Sequence, residues 1–336
     1  MEKNQEISEL ISIIMPVYNS AEFLKGAVES VINQDYFCWE LLLIDDGSTD
    51  TSGPICDRFA AGDHRIRTFH IPNAGVSHAR NLGMSVSSGE YIVFFDSDDI
   101  LSPSFLSTLK RQIEQYKADI IRCGARIIYD NSTVYSPGIE NYNWQVYDGP
   151  KKIHLPAQMY DVVWGKMFRR SLLAEHNILF DEFLNRGEDT LFIYEAVLCC
   201  GSILYSDNEL LNYRLRDTSL MRRPPSPALY IQSVHKYHQL CKFTGQLQNG
   251  SPLMKHLCLD ALIAITENLF DSASEKELFK NNFQAFCKDT VLQNALAKDR
   301  RSFRRKICLS ISIMLLLNYP VFNSINRTFL RLLARI

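Results

Sequence analysis

The hydrophobic pattern along the chain changes period several times, and the changes divide it into elements. Leu10 to Val17 is an almost unbroken apolar run ended by a turn at Tyr18-Asn19, the pattern of an inner parallel strand covered on both faces. After Ser20, a possible N-cap, the apolar residues Phe23, Leu24, Ala27, Val28, Val31 and Ile32 recur at helical spacing, which predicts an amphipathic helix to about Gln34. Strand and helix then repeat. Trp39–Ile44 and Ile66–Ile71 read as strands, Val76–Val86 as a helix, and Tyr91–Phe95 as a short buried strand. Alternation of this kind predicts right-handed β-α-β crossovers and a doubly wound α/β sheet.

Further on, a helix is expected from Pro103 to about Tyr116, and a strand carrying Arg122 and Arg126 from Asp119 to Tyr129. Residues 131–150 are rich in Ser, Asn, Gly, Pro and Tyr and read as a loop or hairpin. Tyr142, Trp144 and Tyr147 there offer either sugar-stacking faces or anchors for the loop. A polar turn, Arg186-Gly187-Glu188-Asp189-Thr190, opens an apolar helix over Leu191–Leu198, and a strand follows at Ile203–Tyr205. Pro224-Pro225-Ser226-Pro227 then breaks the chain, and residues 228–300 return to helical periodicity, with Leu257, Leu259, Ala261, Leu262, Ile265 and Leu269 as its apolar positions.

Composition narrows the class only a little. A chain of 336 residues can bury a large core and hold two domains, and a formal net charge of -2 gives no global signal for nucleic-acid binding. The nine cysteines are scattered and odd in number, with no C-x-x-C pair, so they are expected to be free thiols in a reducing cytoplasm. Met1–Glu9 lacks the charged start and apolar stretch of a signal peptide.

The candidate chemistry gathers where strands end, the usual ligand side of an open α/β sheet. Asp96-Ser97-Asp98-Asp99 follows the strand Tyr91–Phe95, and Asp-x-Asp in that position offers oxygen ligands to a hard divalent ion, Mg²⁺ or Mn²⁺; the alternative is an acidic turn capping the next helix. Asp45-Asp46-Gly47-Ser48-Thr49-Asp50 follows the second strand, where a carboxylate can accept from a uracil N–H or a ribose hydroxyl, or simply cap a helix. Arg80, in the helix start after Asn73-Ala74-Gly75, either faces a diphosphate or pairs with an acid.

Taken in order, Ile13-Ile14-Met15-Pro16-Val17-Tyr18-Asn19, Asp45-Asp46-Gly47-Ser48-Thr49-Asp50, Gly75-Val76-Ser77 with Ala79-Arg80-Asn81, and Asp96-Ser97-Asp98-Asp99 resemble the family 2 glycosyltransferases of the GT-A fold. The resemblance is strong over residues 10–105 and good to about 220. It implies a metal-dependent, inverting transferase that uses a nucleotide-sugar donor, most often a UDP-sugar. Its glycan or lipid-linked acceptor would belong to bacterial surface-polysaccharide assembly.

The same resemblance distributes roles among residues of this chain. Pro16, Val17 and Tyr18 would line the base pocket, Asp46 would contact uracil with Asp45 beside it, and Arg80 would lie near the diphosphate. Asp96 and Asp98 would hold Mg²⁺ or Mn²⁺, with Ser97 on the donor side and Asp99 in support. Trp164 and Lys166 would face the acceptor, the first stacking on a sugar and the second reaching a phosphate; otherwise they are a core tryptophan and a solvated lysine. Asp189 would be the base, with Glu188 in reserve, and Arg214 or Arg216 would help hold the leaving group.

These implications place a GT-A catalytic domain at 8–222, split at 105 into a nucleotide-sugar half and an acceptor half, and a helical C-terminal region at 228–336. Arg300–Lys306 is basic, Ile307–Leu317 is apolar but too short to span a bilayer, and Arg327–Arg335 continues the basic and apolar pattern. The end of the chain is thus expected either to contact the inner face of the cell membrane from the cytoplasm or to pack as a helical hairpin. Two rivals stand beside the transferase: a sugar-phosphate nucleotidyltransferase, disfavoured because Pro16-Val17-Tyr18-Asn19 replaces a glycine-rich phosphate loop, and a non-catalytic nucleotide-sugar binder or assembly scaffold.

Overall fold

The computed structural model describes residues 9–129, 133–135, 144–148, 162–215 and 227–244. The chain forms two compact units, Met1–Arg223 and Pro224–Ile336. In the first, a single mixed sheet carries helices. Its opening half alternates β1 (Ile11–Val17), α1 (Ala21–Ile32), β2 (Trp39–Asp46), α2 (Ser52–Gly62), β3 (Ile66–Ile71), α3 (Val76–Val86) and β4 (Tyr91–Phe94). β1 runs parallel to both β2 and β4, and β2 runs parallel to β3, as the β-α-β pattern requires. Both faces of β1 and β2 are covered, so their residues are apolar at consecutive rather than alternate positions, and Ile13, Ile14, Leu41, Leu42, Leu43 and Ile44 are all fully buried.

The second half is less regular than the doubly wound expectation. It contains β5 (Ile100–Leu101), α4 (Phe105–Tyr116), β6 (Ile120–Tyr129), β7 (Thr133–Tyr135), β8 (Gln145–Asp148), β9 (Lys166–Arg169), α5 (Arg170–Glu175), α6 (Glu188–Cys199) and β10 (Ser202–Leu215). The strand order is β3-β2-β1-β4-β9-β6-β10-β5, with β7 on β6 and β8 on β10. β9 slots between β4 and β6 and is antiparallel to both, so the sheet is mixed. Four residues including a lysine give little strand signal, which is why the alternation does not announce β9. β10 is also longer than Ile203–Tyr205, because its ladder to β6 shifts register between Tyr205 and Leu211, where polar residues interrupt the apolar pattern.

One aromatic cluster fixes the face on which the site is built. Phe94 of β4 meets Phe168 of β9, Phe180 and Phe192 of α6 edge-on at 5.9, 5.1 and 5.5 Å, and Phe180 and Phe192 stack at 4.1 Å. Each such pair contributes about 0.5–1.5 kcal/mol beyond burial, so α6 is pinned to the sheet at its first turns. Gly187, at φ +80°, supplies the left-handed turn that starts α6 directly at Glu188.

Of the second unit the described element is α7 (Pro227–Thr244). The helical positions around Leu257–Leu269, the basic run Arg300–Lys306, the apolar run Ile307–Leu317 and the segment Arg327–Arg335 lie outside the described residues, as do Tyr142 and Arg216. Among the described residues no helix is long and apolar enough to cross a membrane.

Candidate active site

The cleft begins where β1 and β2 end. Val17 is buried, whereas Tyr18 keeps about half its surface, 49%, open beside the strand end. Asp45 and Asp46 are both buried, and each has a scaffolding task. The Asp46 carboxylate accepts from the backbone N–H groups of Ala74 and Gly75 at 2.7 and 2.9 Å, holding the turn before α3 against β2. Gly47 makes this possible: its φ is +70°, and a Cβ there would lie 2.7 Å from the Asn73 nitrogen. Asp45 accepts from the Ser48 N–H at 3.1 Å and is joined to His70 Nδ1 at 2.8 Å.

His70 was not singled out from the sequence, although the register makes it the direct neighbour of Asp45 on β3. Its other nitrogen meets Asp57 at 2.9 Å, and hydrogen bonds to Asp45 and then Asp57 raise its pKa above the ordinary histidine value despite some desolvation. The remaining polar residues of the loop cap one another: Asp50 accepts from the N–H groups of Ser52 and Ala21, and Asn19 accepts from Thr49. The loop is therefore preorganised by its own carboxylates and amides.

At the end of β4, Ser97 is buried and donates to Ser20 at 2.7 Å, which ties the acidic turn to the start of α1. Asp99 is fully buried and accepts from the Arg214 N–H at 2.9 Å, while Arg214 Nε donates to the Asp98 carbonyl at 3.3 Å. Arg214 thus sits against the acidic turn. The side chain of Asp96 keeps 30% of its surface accessible, and Asp98 is part-exposed.

Arg80 joins the two sides of the cleft. Its guanidinium, 4% exposed, contacts three carboxylates: Asp189 at 2.7 Å, Glu188 at 3.0 Å and Asp96 at 3.2 Å. Burial opposes its charge, but Asp189, Asp96 and Glu188 together hold its pKa above the usual arginine value. Asp189 also accepts from the Val163 N–H at 3.3 Å, so each of its oxygens has a fixed donor while 17% of the side chain remains accessible. Glu188 behaves differently. Burial, followed by the neighbouring Asp189, pushes it up to about 8, with Arg80 acting against the shift. Asp96 is also raised, first by burial and then by Asp98 and Asp189, with Arg80 acting against the shift.

The acceptor-side residues separate. Trp164 is half-buried and stacks on Tyr213 at 4.9 Å with ring planes 20° apart, so one of its faces is already occupied. Lys166 is fully buried, and its Nζ donates to the Val162 carbonyl; it is not a solvated lysine. The site thus brings Asp96, Arg80, Glu188 and Asp189 into direct contact and sets Asp45 and Asp46 apart in the loop that ends β2.

Asp96 and Asp98 fit a hard divalent cation by their oxygen chemistry, and a cation there would oppose the burial and the neighbouring carboxylates that raise Asp96. Among the described residues no three His, Cys, Asp or Glu side chains converge tightly enough to hold a metal, so other ligands would have to come from outside those side chains.

Comparison with known proteins agrees with this architecture. The family model described as glycosyl transferase family 2 matches residues 12–176. The chain is 31% identical over 240 residues to the glycosyltransferase GlyG of Streptococcus pneumoniae serotype 4, covering 64% of this chain and 74% of GlyG. It is 29% identical over 328 residues to GlyA of the same organism, covering 90% of this chain but only 44% of GlyA, so it spans less than half of that relative. Among solved structures, S. aureus TarS 1-349 in complex with UDP-GlcNAc superposes with a TM-score of 0.67 at 20% identity, over 82% of this chain and 80% of that one. With the four motifs in order on a nucleotide-binding type of sheet, the chain belongs to glycosyl transferase family 2 and has the GT-A fold.

Proposed function

We propose that this chain is an inverting glycosyltransferase that moves a sugar from a nucleotide-sugar, a UDP-sugar, to a hydroxyl of a glycan or lipid-linked acceptor in surface-polysaccharide assembly. The observation that carries the reading is the Arg80 contact set: one buried guanidinium holds a carboxylate of the acidic turn, Asp96, and the carboxylate at the start of α6, Asp189, while both keep an accessible edge. Transfer with inversion needs a base that removes the acceptor proton on the face of the sugar away from the departing nucleotide. Asp189 has the fixed orientation that role requires and is the more accessible of the two carboxyls, 17% against 10% for Glu188. Asp96 and Asp98 would hold Mg²⁺ or Mn²⁺, which when bound offsets the charge of the leaving diphosphate.

The other parts follow. Tyr18 offers an open ring where the base would bind, Pro16 stands two residues before it at the end of β1 next to the buried Val17, and Asp45 and Asp46 fix the neighbouring loop. Trp164 presents its free side to the acceptor. The catalytic domain is assigned to residues 8–222 and the helical region to 228–336, with the basic C-terminal segment contacting the inner face of the membrane where a lipid-linked acceptor would be met.

The experiment is a screen of nucleotide-sugars for UDP release, with and without Mn²⁺, in the wild type and D189N. Transfer that depends on Asp189 supports the enzyme, whereas UDP binding without any release from the panel would favour a binding protein.

A further inference from the structure

Arg122 is a buried cation that the donor and base assignments do not use. It stands on β6, 7% exposed, and among the described residues its guanidinium has no hydrogen bond and no ion pair, with Nε buried away from any acceptor. The contact recorded for it is with the face of the Tyr205 ring on β10, 5.0 Å from the centroid. Its register partner on β9 is Lys166, itself fully buried, so two positive side chains occupy one row of the sheet.

That row lies on the working face. Side chains of a strand alternate between faces, so Arg122 and Lys166 share the side of Ile120 and Phe168, the pair one step back, and Phe168 packs on Phe192 of α6 at 5.7 Å. In the other direction, Lys166 reaches the carbonyl of Val162, and the next residue, Val163, donates its N–H to Asp189. One peptide unit, Val162-Val163, thus links Lys166 to the carboxylate assigned as base, and Arg122 is the register partner of that lysine.

A guanidinium removed from water without a counter-ion is costly, and a ring face recovers only part of the loss. Packing alone does not call for it, because a methionine of similar length would fill the space without a charge. The planar fork of arginine matches the oxygens of a carboxylate or a phosphate. We infer that Arg122, with Lys166 beside it, forms an oxyanion-recognition subsite of the substrate cleft, taking a carboxylate on the transferred sugar or a phosphate on the acceptor. The inference rests on the glycosyltransferase reading for the nature of that cleft.

Thermal melting of the full chain with matched ligand pairs tests it: UDP-glucuronate against UDP-glucose for the donor source, and octyl phosphate against octyl glucoside for the acceptor source. The wild type should prefer the anionic member of one pair by at least about tenfold in affinity. R122M should lose that preference, R122K should keep part of it, and ligand-free R122M should melt at or above the wild-type temperature because a charge without a counterpart among the described residues has been removed. Equal affinities within both pairs, a preference that survives in R122M, or an R122M protein that melts lower or fails to fold would overturn the subsite. UDP alone, run in the same series on the wild type, separates the two levels: no stabilisation by UDP sinks the glycosyltransferase reading itself, whereas UDP stabilisation without any anionic preference sinks only the role of Arg122.

Discussion

Replacing Arg80 with methionine would leave three carboxylates facing one another around an uncharged side chain. At the observed separations of 2.7, 3.0 and 3.2 Å, each pair has, when its carboxylate is ionised, a gross attraction of about 5–6 kcal/mol at an effective dielectric of about 20. Most of that sum is cancelled by the desolvation of the charges, and the net loss on removing one partner of a buried pair is about 3–5 kcal/mol. The pH dependence has a definite sign. Carboxyls whose folded pKa lies above the unfolded value bind protons on folding, so they destabilise the protein at high pH and cease to do so as pH falls. Burial already pushes Glu188 up to about 8, and losing Arg80 removes the main influence holding it and Asp96 down. The deficit of R80M should therefore be largest above pH 8 and shrink toward pH 5. Urea denaturation of wild type and R80M across that range measures it. A deficit under about 1 kcal/mol at pH 8.5, or one that grows as pH falls, would refute the claim that Arg80 neutralises this cluster.

Other expectations are independent of that cluster. D46A removes the acceptor for the Ala74 and Gly75 N–H groups and should cost about 1–3 kcal/mol while weakening UDP binding; calorimetry on the folded variant separates the two effects. His70 has a raised folded pKa, so its contribution is fully present below the unfolded histidine value and fades as pH rises through the folded one. The melting-temperature gap between wild type and H70Q should accordingly be wider at pH 6 than at pH 9. F192A empties the centre of the aromatic cluster and should cost about 3–5 kcal/mol; because α6 carries Asp189, transfer by the folded fraction should fall as well.

The first half of the fold was readable because its signals are local. Buried parallel strands impose consecutive apolar residues, and the crossover helices impose a 3.6-residue period, so β1 to β4 and α3 lie close to where the pattern puts them. β9 was hidden because four residues bounded by Gly165 and Arg170, one of them a buried lysine, resemble no strand until the sheet closes around them. Within the site, residue types at strand ends pointed to Asp45, Asp46, Asp96 and Asp98, and the family resemblance to Glu188 and Asp189, but neither gave their partners. The contact between Arg80 and Asp189 joins residues 109 apart in sequence, and only the packing of α6 on the sheet creates it. His70 and Arg122 escaped for a related reason: a histidine or arginine in a strand is unremarkable until the register sets it beside Asp45 or Lys166.

UDP release from a panel of nucleotide-sugars in the presence of Mn²⁺, compared between wild type and D189N, tests the transferase activity and its base together. The wild type should turn over one donor, and D189N should lose about 10²–10⁴-fold in transfer while binding UDP as before. Turnover by D189N at the wild-type rate would contradict the assignment of the base, and no turnover of any donor by the wild type would contradict the proposed activity.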